Sequence, residues 1–260
     1  MFQHDAFFVG SNVRKSVQQG YADYIPVFLN ETARLYRDNY LKCNVALIQV
    51  TPPDEFGYVS MGPSVDATLA AVENADYTIA VINKYVPRTF GDGLIHMSNI
   101  DIFVEKDEPL ETAAPGQPSE VEKAIGRHCA ELIEDGACLQ MGIGSIPNAT
   151  LSCLTNHKDL GVHTEMFSDG ILELVERGII TGANKALDKY KMVSTFVMGS
   201  QKTYDFLHNN PRVLMKDVAY TNDPFVIAQQ PKMVSINSAL QVDITGQVCA
   251  DSLGTKFYSG

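Results

Sequence analysis

The sequence predicts an α/β fold in which most strands run parallel. Short apolar runs rich in β-branched residues alternate with helical segments along the 260 residues, which is typical of strand–helix units packed around a parallel sheet. Two runs, Val45–Val50 and Tyr77–Ile82, are apolar almost throughout, so we expect both in a sheet that is covered on its two faces. With 45% hydrophobic residues, the chain can form a sizeable core.

The first half places a helix between these two strands. A loop with prolines and glycines follows Val50, and the pattern after it predicts a helix from Ser64 to Asn74. Further on, Glu111–Pro118 is small, polar and rich in proline and glycine, which is typical of a linker. We therefore predict two domains, residues 1–114 and residues 115–260.

The second half repeats a pattern of strand, turn and helix. Ser119 has the side chain of an N-cap and predicts a helix to about Asp135. The segment Ala137–Asn148 then predicts a strand, a glycine turn and a helix with Pro147 near its first position. Five more elements are predicted: a strand ending near Glu165, a short helix capped by Ser168 or Asp169, a strand at Met192–Met198, a helix through Tyr204 and Phe206, and a strand at Met233–Asp243.

Charge and composition exclude several classes of function. The net charge is −11 and the 20 basic residues are scattered, whereas a nucleic-acid surface needs clustered lysine and arginine. No run reaches the roughly 18 apolar residues of a membrane span, and the N-terminus lacks a leader pattern. The five cysteines lie apart in apolar stretches, which predicts reduced, mostly buried thiols in the cytoplasm. No histidine spacing indicates a metal site.

The turn Gly142-Ile143-Gly144 is a candidate anion site. A glycine turn between a strand and a helix exposes several backbone N–H groups, which can hold a phosphate or an oxyanion. Taken alone, such a turn is more often simply a place where the chain needs a positive φ. Because ligands bind beyond the carboxyl ends of parallel strands, this turn and Glu165 both lie where a site is expected.

Glu165 is the candidate catalytic carboxylate, although a lone acidic residue before a helix is more often a capping charge. For three further candidate residues, the sequence leaves both a functional and a structural role open. His163 is either a general base or a locally hydrogen-bonded side chain. Asn222 lies in a turn before a proline, and Asn237 is either part of a hydrogen-bond network or a ligand contact. The aromatic residues Phe7, Phe8, Tyr21, Tyr24 and Phe28 are expected in the core or lining a pocket.

Taken together, these segments resemble a known family. Gln140–Pro147 followed by His163–Gly170 is similar to the acetyl-CoA hydrolase/transferase family, and most similar to its 4-hydroxybutyrate and butyryl-CoA:acetate CoA-transferases. The similarity extends through Tyr220–Pro224 and Met233–Gln247, and in the first half through Phe8–Val27. Several long motifs in the same order are far more specific than one glycine pair.

The resemblance implies two related open α/β domains of the CoA-transferase type, both incomplete in this chain, with the active site between them. It implies that Glu165 is the catalytic glutamate and that Asn222 helps to hold it. The implied CoA-binding residues are Gln140, Met141, Gly142, Ile143, Gly144 and Leu240. Members continue beyond Gly260 into a further glycine loop and begin before Phe7, so the resemblance implies a chain that is incomplete at both ends.

The implied activity transfers CoA between a short-chain acyl-CoA, such as butyryl- or 4-hydroxybutyryl-CoA, and acetate. CoA is then a substrate and a covalent intermediate, and no permanently bound cofactor is expected. Related enzymes also imply a homo-oligomer. An acyl-CoA hydrolase on the same residues is the nearest alternative, and a non-catalytic ligand-binding protein of related fold is an alternative of another class. A nucleotide-dependent enzyme is disfavoured because both GxGxxG and the P-loop are absent.

Overall fold

A computed structural model describes residues 3–113 and 116–258. The strands are β1 His4–Ala6, β2 Ala22–Tyr24, β3 Val45–Val50, β4 Tyr58–Ser60, β5 Tyr77–Ile82, β6 Phe90–Gly91, β7 Leu94–His96, β8 Ile102–Glu105, β9 Cys138–Met141, β10 Gly161–His163, β11 Met166–Phe167, β12 Met192–Ser194, β13 Phe196–Val197, β14 Val213–Met215, β15 Met233–Ile236, β16 Gln241–Val242, β17 Val248–Cys249, β18 Ser252–Leu253 and β19 Lys256–Phe257. The helices are α1 Ser11–Gln18, α2 Leu29–Arg37, α3 Thr68–Asn74, α4 Glu120–Glu131, α5 Ser145–Cys153, α6 Asp169–Glu176, α7 Gln201–Leu207, α8 Val218–Thr221 and α9 Pro224–Ile227, with a 3₁₀ turn at Met97–Asn99.

The largest sheet has six parallel strands in the order β15-β9-β10-β12-β14-β6. Its central strands are buried, and Leu139, Val162 and Met192 join the main hydrophobic core with Phe167 and residues of α5 and α6. The edge strand β6 comes from the first half of the sequence and pairs with β14. The predicted α/β class with parallel strands is confirmed. The predicted boundary between residues 114 and 115 lies outside the described residues.

A second sheet of three parallel strands, in the order β3-β5-β8, has one open face. Both predicted strands are present with the expected bounds. One face packs Ile48 and Ala80 into a separate core, but on the other face Val45 is 52% exposed and Leu47 is 73% exposed. The prediction that both faces of this sheet are covered is therefore wrong for the described residues. An apolar strand can be buried on both faces, but its sequence does not show whether another element covers each face.

The run predicted as one strand at Met233–Asp243 forms β15 and β16, which belong to different sheets. Two other predicted elements also begin or break differently from the expectation. The helix predicted from Ser64 starts at Thr68, because Asp66 has φ +27° and cannot continue a right-handed helix. The run Met192–Met198 forms two short strands in different sheets, separated at Thr195. Both departures lie beside Glu165.

The start of α4 is as predicted. Ser119 accepts a hydrogen bond from the Glu122 N–H, and the Glu122 carboxylate accepts one from the Ser119 N–H, which is a complete capping box. The helix ends at Glu131, four residues before the predicted Asp135. All five cysteines are free, but only Cys138 is fully buried and the other four are half-buried, so the expectation of mostly buried thiols is wrong.

Candidate active site

The site begins where two neighbouring strands end. Strands β9 and β10 are parallel neighbours, and the Thr164 hydroxyl just beyond β10 bridges to the last residue of β9. It accepts a hydrogen bond from the Met141 N–H at 3.0 Å and donates one to the Met141 carbonyl at 3.2 Å. Gly142 and Glu165, the next residue in each segment, therefore leave the sheet from the same edge.

Three donors fix the main chain of Glu165. Its carbonyl oxygen accepts hydrogen bonds from the Thr195 N–H at 3.0 Å, the Phe196 N–H at 3.1 Å and the Ser194 hydroxyl at 2.8 Å. These donors come from the two strands β12 and β13 and from the break between them. The break in the predicted strand thus anchors Glu165 between β10 and β11.

The Glu165 side chain is half-buried and bonded to an amide. Its Oε2 accepts a hydrogen bond from Asn222 Nδ2 at 2.9 Å. Burial raises the pKa of the Glu165 carboxyl, the Asn222 hydrogen bond lowers it, and the negative charge of Asp66 raises it further. The net pKa shift is upward, so the ionised form is destabilised relative to water, which makes the carboxylate a stronger base and nucleophile.

A cleft of about 670 Å³ opens onto Glu165. Most of its lining comes from the first thirty residues of the chain and is aromatic or aliphatic: Phe7, Phe8, Tyr24, Pro26, Val27, Phe28 and Leu29, with the carboxylates Glu31 and Asp251. Four of the five aromatic residues singled out in the sequence therefore line the cleft, whereas Tyr21 is 74% exposed and lies elsewhere.

Asn222 reaches Glu165 from a junction of two short helices. It is the C-cap of α8, and its own N–H donates to the Val218 carbonyl at 2.9 Å. Asp223 then caps α9 by accepting from the Phe225 N–H, with Pro224 as the first helical residue. The turn predicted before the proline is this junction, and it leaves the Asn222 amide free to bind the carboxylate.

The two glycines of the turn meet different structural requirements. Gly142 donates its N–H to the Ile236 carbonyl at 2.8 Å, and a Cβ on it would lie 2.3 Å from the Asn237 side-chain oxygen. Gly144 has φ +126° and ψ −179°, a conformation essentially restricted to glycine. The explanation of a turn that needs positive φ therefore applies to Gly144 and not to Gly142.

The turn presents free donors to a second cavity. Among residues 3–113 and 116–258, the N–H groups of Ile143 and Gly144 have no hydrogen-bond partner, and helix α5 begins directly after them. Both residues line a cavity of about 230 Å³ together with Met166. Glu165 lines the larger cleft and Met166 lines the smaller cavity, so two consecutive residues reach the two spaces.

The remaining predicted CoA-binding residues have different surroundings. Gln140 Oε1 accepts a hydrogen bond from Asn237 Nδ2 at 3.0 Å and one from the Ser235 hydroxyl, which ties β9 to the end of β15. The Met141 side chain is buried in the main core, so only its backbone faces the turn. Leu240 is half-buried and donates its N–H to the Cys249 carbonyl in the β16–β17 hairpin, and it lines neither cavity.

His163 is a local hydrogen-bonding residue. It is 1% exposed, and its Nε2 donates to the Thr221 carbonyl at 2.8 Å. Burial lowers the pKa of its imidazole, so the ring is neutral with its proton on Nε2. His163 lines neither cavity, and the general-base hypothesis receives no support from this geometry.

Asp66 and Thr195 are site residues that the sequence reading missed. Thr195 holds the carbonyl of Glu165, and its own carbonyl accepts from the N–H groups of Val65 and Asp66. The spacing Asp66-x-Thr68 was a usable local signal, because an aspartate side chain can accept a hydrogen bond from the backbone N–H two residues later and form a turn there. No local sequence pattern shows that the loop at Asp66 contacts the segment that holds Glu165.

Within the described residues, no group of three or more histidine, cysteine, aspartate or glutamate side chains is arranged to hold a metal ion. No helix in the same part of the chain has the length and apolar character needed to cross a bilayer.

A half-buried carboxylate and a glycine turn whose N–H groups are unpaired within the described residues follow neighbouring strands at one edge of a parallel sheet, and both are groups that acyl transfer uses. Sequence models of the acetyl-CoA hydrolase/transferase N-terminal and C-terminal domains match residues 1–113 and 199–260. The chain belongs to the acetyl-CoA hydrolase/transferase family.

Curated relatives include a succinyl-CoA:acetate/propanoyl-CoA:succinate CoA transferase from Fasciola hepatica, 54% identical over 260 residues. A 4-hydroxybutyrate coenzyme A transferase from Clostridium kluyveri is 51% identical over 259 residues. All of this chain is matched in both cases, and it spans 54% and 60% of their respective lengths. The crystal structure of a 4-hydroxybutyrate CoA-transferase from Porphyromonas gingivalis superimposes with a TM-score of 0.83 at 43% identity, covering 88% of this chain and 59% of that one.

Proposed function

We propose that the protein transfers CoA from an acyl thioester to a free carboxylate, with Glu165 as the nucleophile. The observation that carries the proposal is the Glu165 carboxylate, held at 2.9 Å by Asn222 in a cleft. Glu165 leaves the same sheet edge as a turn that has two N–H groups without a partner in the described part of the chain. The named transferases among the relatives support the same reaction class.

In the first step, a Glu165 carboxylate oxygen attacks the thioester carbonyl carbon. The carbonyl oxygen becomes an oxyanion, the carbon–sulfur bond breaks, and CoA leaves as a thiolate. The product on the enzyme is a mixed anhydride between the acyl group and Glu165. Covalent catalysis of this kind divides one difficult exchange into two easier steps.

In the second step, the CoA thiolate attacks the Glu165 side-chain carbonyl. The anhydride carbon–oxygen bond breaks, the original acid leaves as a carboxylate, and Glu165 carries CoA as a thioester. An incoming acid then reverses both steps and departs as the new acyl-CoA. Each product pair is again a thioester and a carboxylate, so the reaction needs neither a nucleotide nor a permanently bound cofactor.

The turn after β9 supplies stabilisation for the oxyanions. The N–H groups of Ile143 and Gly144 are unpaired within the described residues, and Gly144 is the N-cap of α5 with φ +126°. One such preorganised donor contributes about 3 kcal/mol, or roughly a hundredfold in rate. The Gly142 N–H is already bound to the Ile236 carbonyl, so the N–H groups of Ile143 and Gly144 are the ones that stabilise the oxyanion.

The lining of the cleft supports a short uncharged acyl chain. The side chains around Glu165 are mainly aromatic and aliphatic, and the charged ones are carboxylates. Apolar walls stabilise a butyryl chain by about 0.8 kcal/mol for each buried methylene group. We therefore propose butyryl- or 4-hydroxybutyryl-CoA as the donor and acetate as the small acceptor acid.

The test is to trap the enzyme thioester. Butyryl-CoA is added to the purified full-length protein, and mass spectrometry examines the peptide that contains Glu165 in two samples. One sample is untreated, and the other is treated with borohydride, which reduces a glutamyl thioester to the alcohol and releases CoA. We expect a CoA adduct at Glu165 and borohydride inactivation that depends on butyryl-CoA. Glu165→Gln removes both, while Glu173→Gln, on an exposed position of α6, retains both.

Three results would contradict parts of the proposal. Unchanged turnover in Glu165→Gln would exclude Glu165 as the nucleophile. An adduct that acetate does not discharge, but water does, would make the protein an acyl-CoA hydrolase. Butyryl-CoA binding without any adduct or turnover would indicate a non-catalytic binding protein.

The proposal also includes location and assembly. Free thiols on all five cysteines fit a reducing compartment, and we propose the cytoplasm. We propose a homo-oligomer on the family resemblance. Cell fractionation and light scattering of the full-length protein test these two statements separately.

A further inference from the structure

We propose that Asp66 is a positioning residue for Glu165, fixing its backbone through Thr195 and opposing its negative charge. The inference rests on the proposed role of Glu165 as the nucleophile. It concerns a residue on the loop before α3, in the first half of the chain, which the sequence assigned to the interior of a helix.

The conformation of Asp66 is unusual and is held in place by its own side chain. Its φ of +27° lies in a region that aspartate enters only at a cost. Oδ1 accepts hydrogen bonds from the Thr68 N–H at 2.9 Å and the Thr68 hydroxyl at 2.7 Å, and Oδ2 accepts one from the Ser64 hydroxyl. Three donors therefore hold the side chain and the strained backbone in place.

The backbone of this loop contacts both supports of Glu165. The N–H groups of Val65 and Asp66 donate to the Thr195 carbonyl at 3.0 and 3.3 Å, and the Thr195 N–H donates to the Glu165 carbonyl. The Asp66 carbonyl accepts from the Val218 N–H at 3.3 Å, which is the first residue of α8. One loop thus braces the segment that holds Glu165 and the helix that carries Asn222.

The charge of Asp66 acts on the same carboxylate. It raises the pKa of Glu165 in addition to the effect of burial, against the Asn222 hydrogen bond. When Glu165 attacks a thioester, its negative charge moves away into the oxyanion and the thiolate. The repulsion from Asp66 is present before the attack and weakens during it, which favours the transition state over the ground state.

Other charged groups near these residues are either paired or line the open cleft. Glu31 and Asp251 line the cleft with Glu165. Asp217, beside the Val218 that binds Asp66, is paired with Arg37. His163 is neutral because burial lowers its pKa. Substitution of Asp66 leaves all of these groups in the protein, so each variant is compared with the wild type in their presence.

Two substitutions in the full-length protein separate charge from position. Asp66→Asn removes the charge, but asparagine tolerates positive φ and keeps an oxygen for the Thr68 donors. We expect the acid limb of kcat/KM to move to lower pH, with little change in KM. Asp66→Ala also removes the hydrogen bonds that the Asp66 carboxylate accepts from Ser64 and Thr68. The loop then no longer fixes Glu165, and the misplaced carboxylate should lower kcat by as much as about a hundredfold.

The matched control is Asp159→Asn. Asp159 also has a positive φ, at +54°, and its carboxylate accepts from the Thr181 hydroxyl; it is exposed, whereas Asp66 is half-buried. It should leave the acid limb unchanged. An unmoved limb in Asp66→Asn, in an enzyme that still forms the CoA adduct on Glu165, would overturn this inference and leave the proposed function intact. Failure of the wild-type protein to form the adduct would overturn both.

Discussion

Replacing Asn222 by alanine tests how the site controls Glu165. The Asn222 amide donates one hydrogen bond, at 2.9 Å, to the Glu165 carboxylate, and this bond lowers the carboxyl pKa. Alanine removes the bond, so the pKa of Glu165 rises and the acid limb of kcat/KM moves to higher pH. The backbone of Asn222 keeps its hydrogen bond to Val218, so α8 should remain folded.

The size of the effect follows from the kind of bond that is lost. A hydrogen bond to a charged group contributes about 1.5–3 kcal/mol. Glu165 is half-buried and opens onto a cleft, so we take the lower end of that range. A loss of about 1.4 kcal/mol in transition-state stabilisation is a tenfold loss in kcat/KM, and we expect about tenfold or somewhat more on the pH plateau.

The assay is steady-state CoA transfer from butyryl-CoA to acetate over a pH series, with thermal melting to confirm folding. Asn74→Ala is the control, because Asn74 also donates one side-chain amide hydrogen bond, to the Ala70 carbonyl at 2.8 Å, on the exposed end of α3. An acid limb that stays in place or moves to lower pH in a folded Asn222→Ala protein would refute the reasoning about Glu165.

Three further outcomes are expected. Gly144→Ala forces alanine to φ +126°, so urea denaturation should show a loss of about 1–3 kcal/mol and calorimetry a weaker affinity for CoA; unchanged stability would contradict the assigned backbone. Glu165→Gln should be more stable than the wild type at neutral pH. Burial raises the folded-state pKa of Glu165, so the wild type loses stability as pH rises from the unfolded-state pKa through the folded-state pKa, whereas glutamine does not ionise; melting curves that keep a constant separation at all pH values would contradict this sign. Ser119→Ala removes the capping box of α4 and should cost about 1 kcal/mol of unfolding free energy, and a loss of zero in urea denaturation would argue against that cap.

The sequence predicted elements whose cause is local. The strands Val45–Val50 and Tyr77–Ile82 have the expected bounds, because β-branched apolar runs carry their own signal. Ser119 was identified as an N-cap because the cap and its Glu122 partner lie within one turn. The turn before Pro224 was identified for the same reason, since proline restricts its neighbour directly.

The departures have long-range causes. Thr195 interrupts a run that resembles one strand, because its N–H binds Glu165 and its carbonyl binds the loop before α3. The helix predicted from Ser64 is delayed because Asp66 adopts a positive φ in contact with that same carbonyl. Neither partner is visible in a local pattern, so the sequence could not predict these two departures beside the candidate nucleophile. This agrees with the expectation that sequences depart from local rules at functional sites.

The residues that raise and lower the pKa of Glu165 are connected through helix α8. Burial and the charge of Asp66 raise its pKa, while the amide of Asn222 lowers it. Asp66 also binds Val218 at the start of α8, and Asn222 caps the other end of that four-residue helix. A displacement of the loop at Asp66 therefore moves the amide as well as the charge. Substitutions at the two residues should be non-additive for this reason, since residues that share a structural partner couple energetically. Asp66 keeps the carboxylate basic and Asn222 orients it, and a substitution that moves the loop alters both effects.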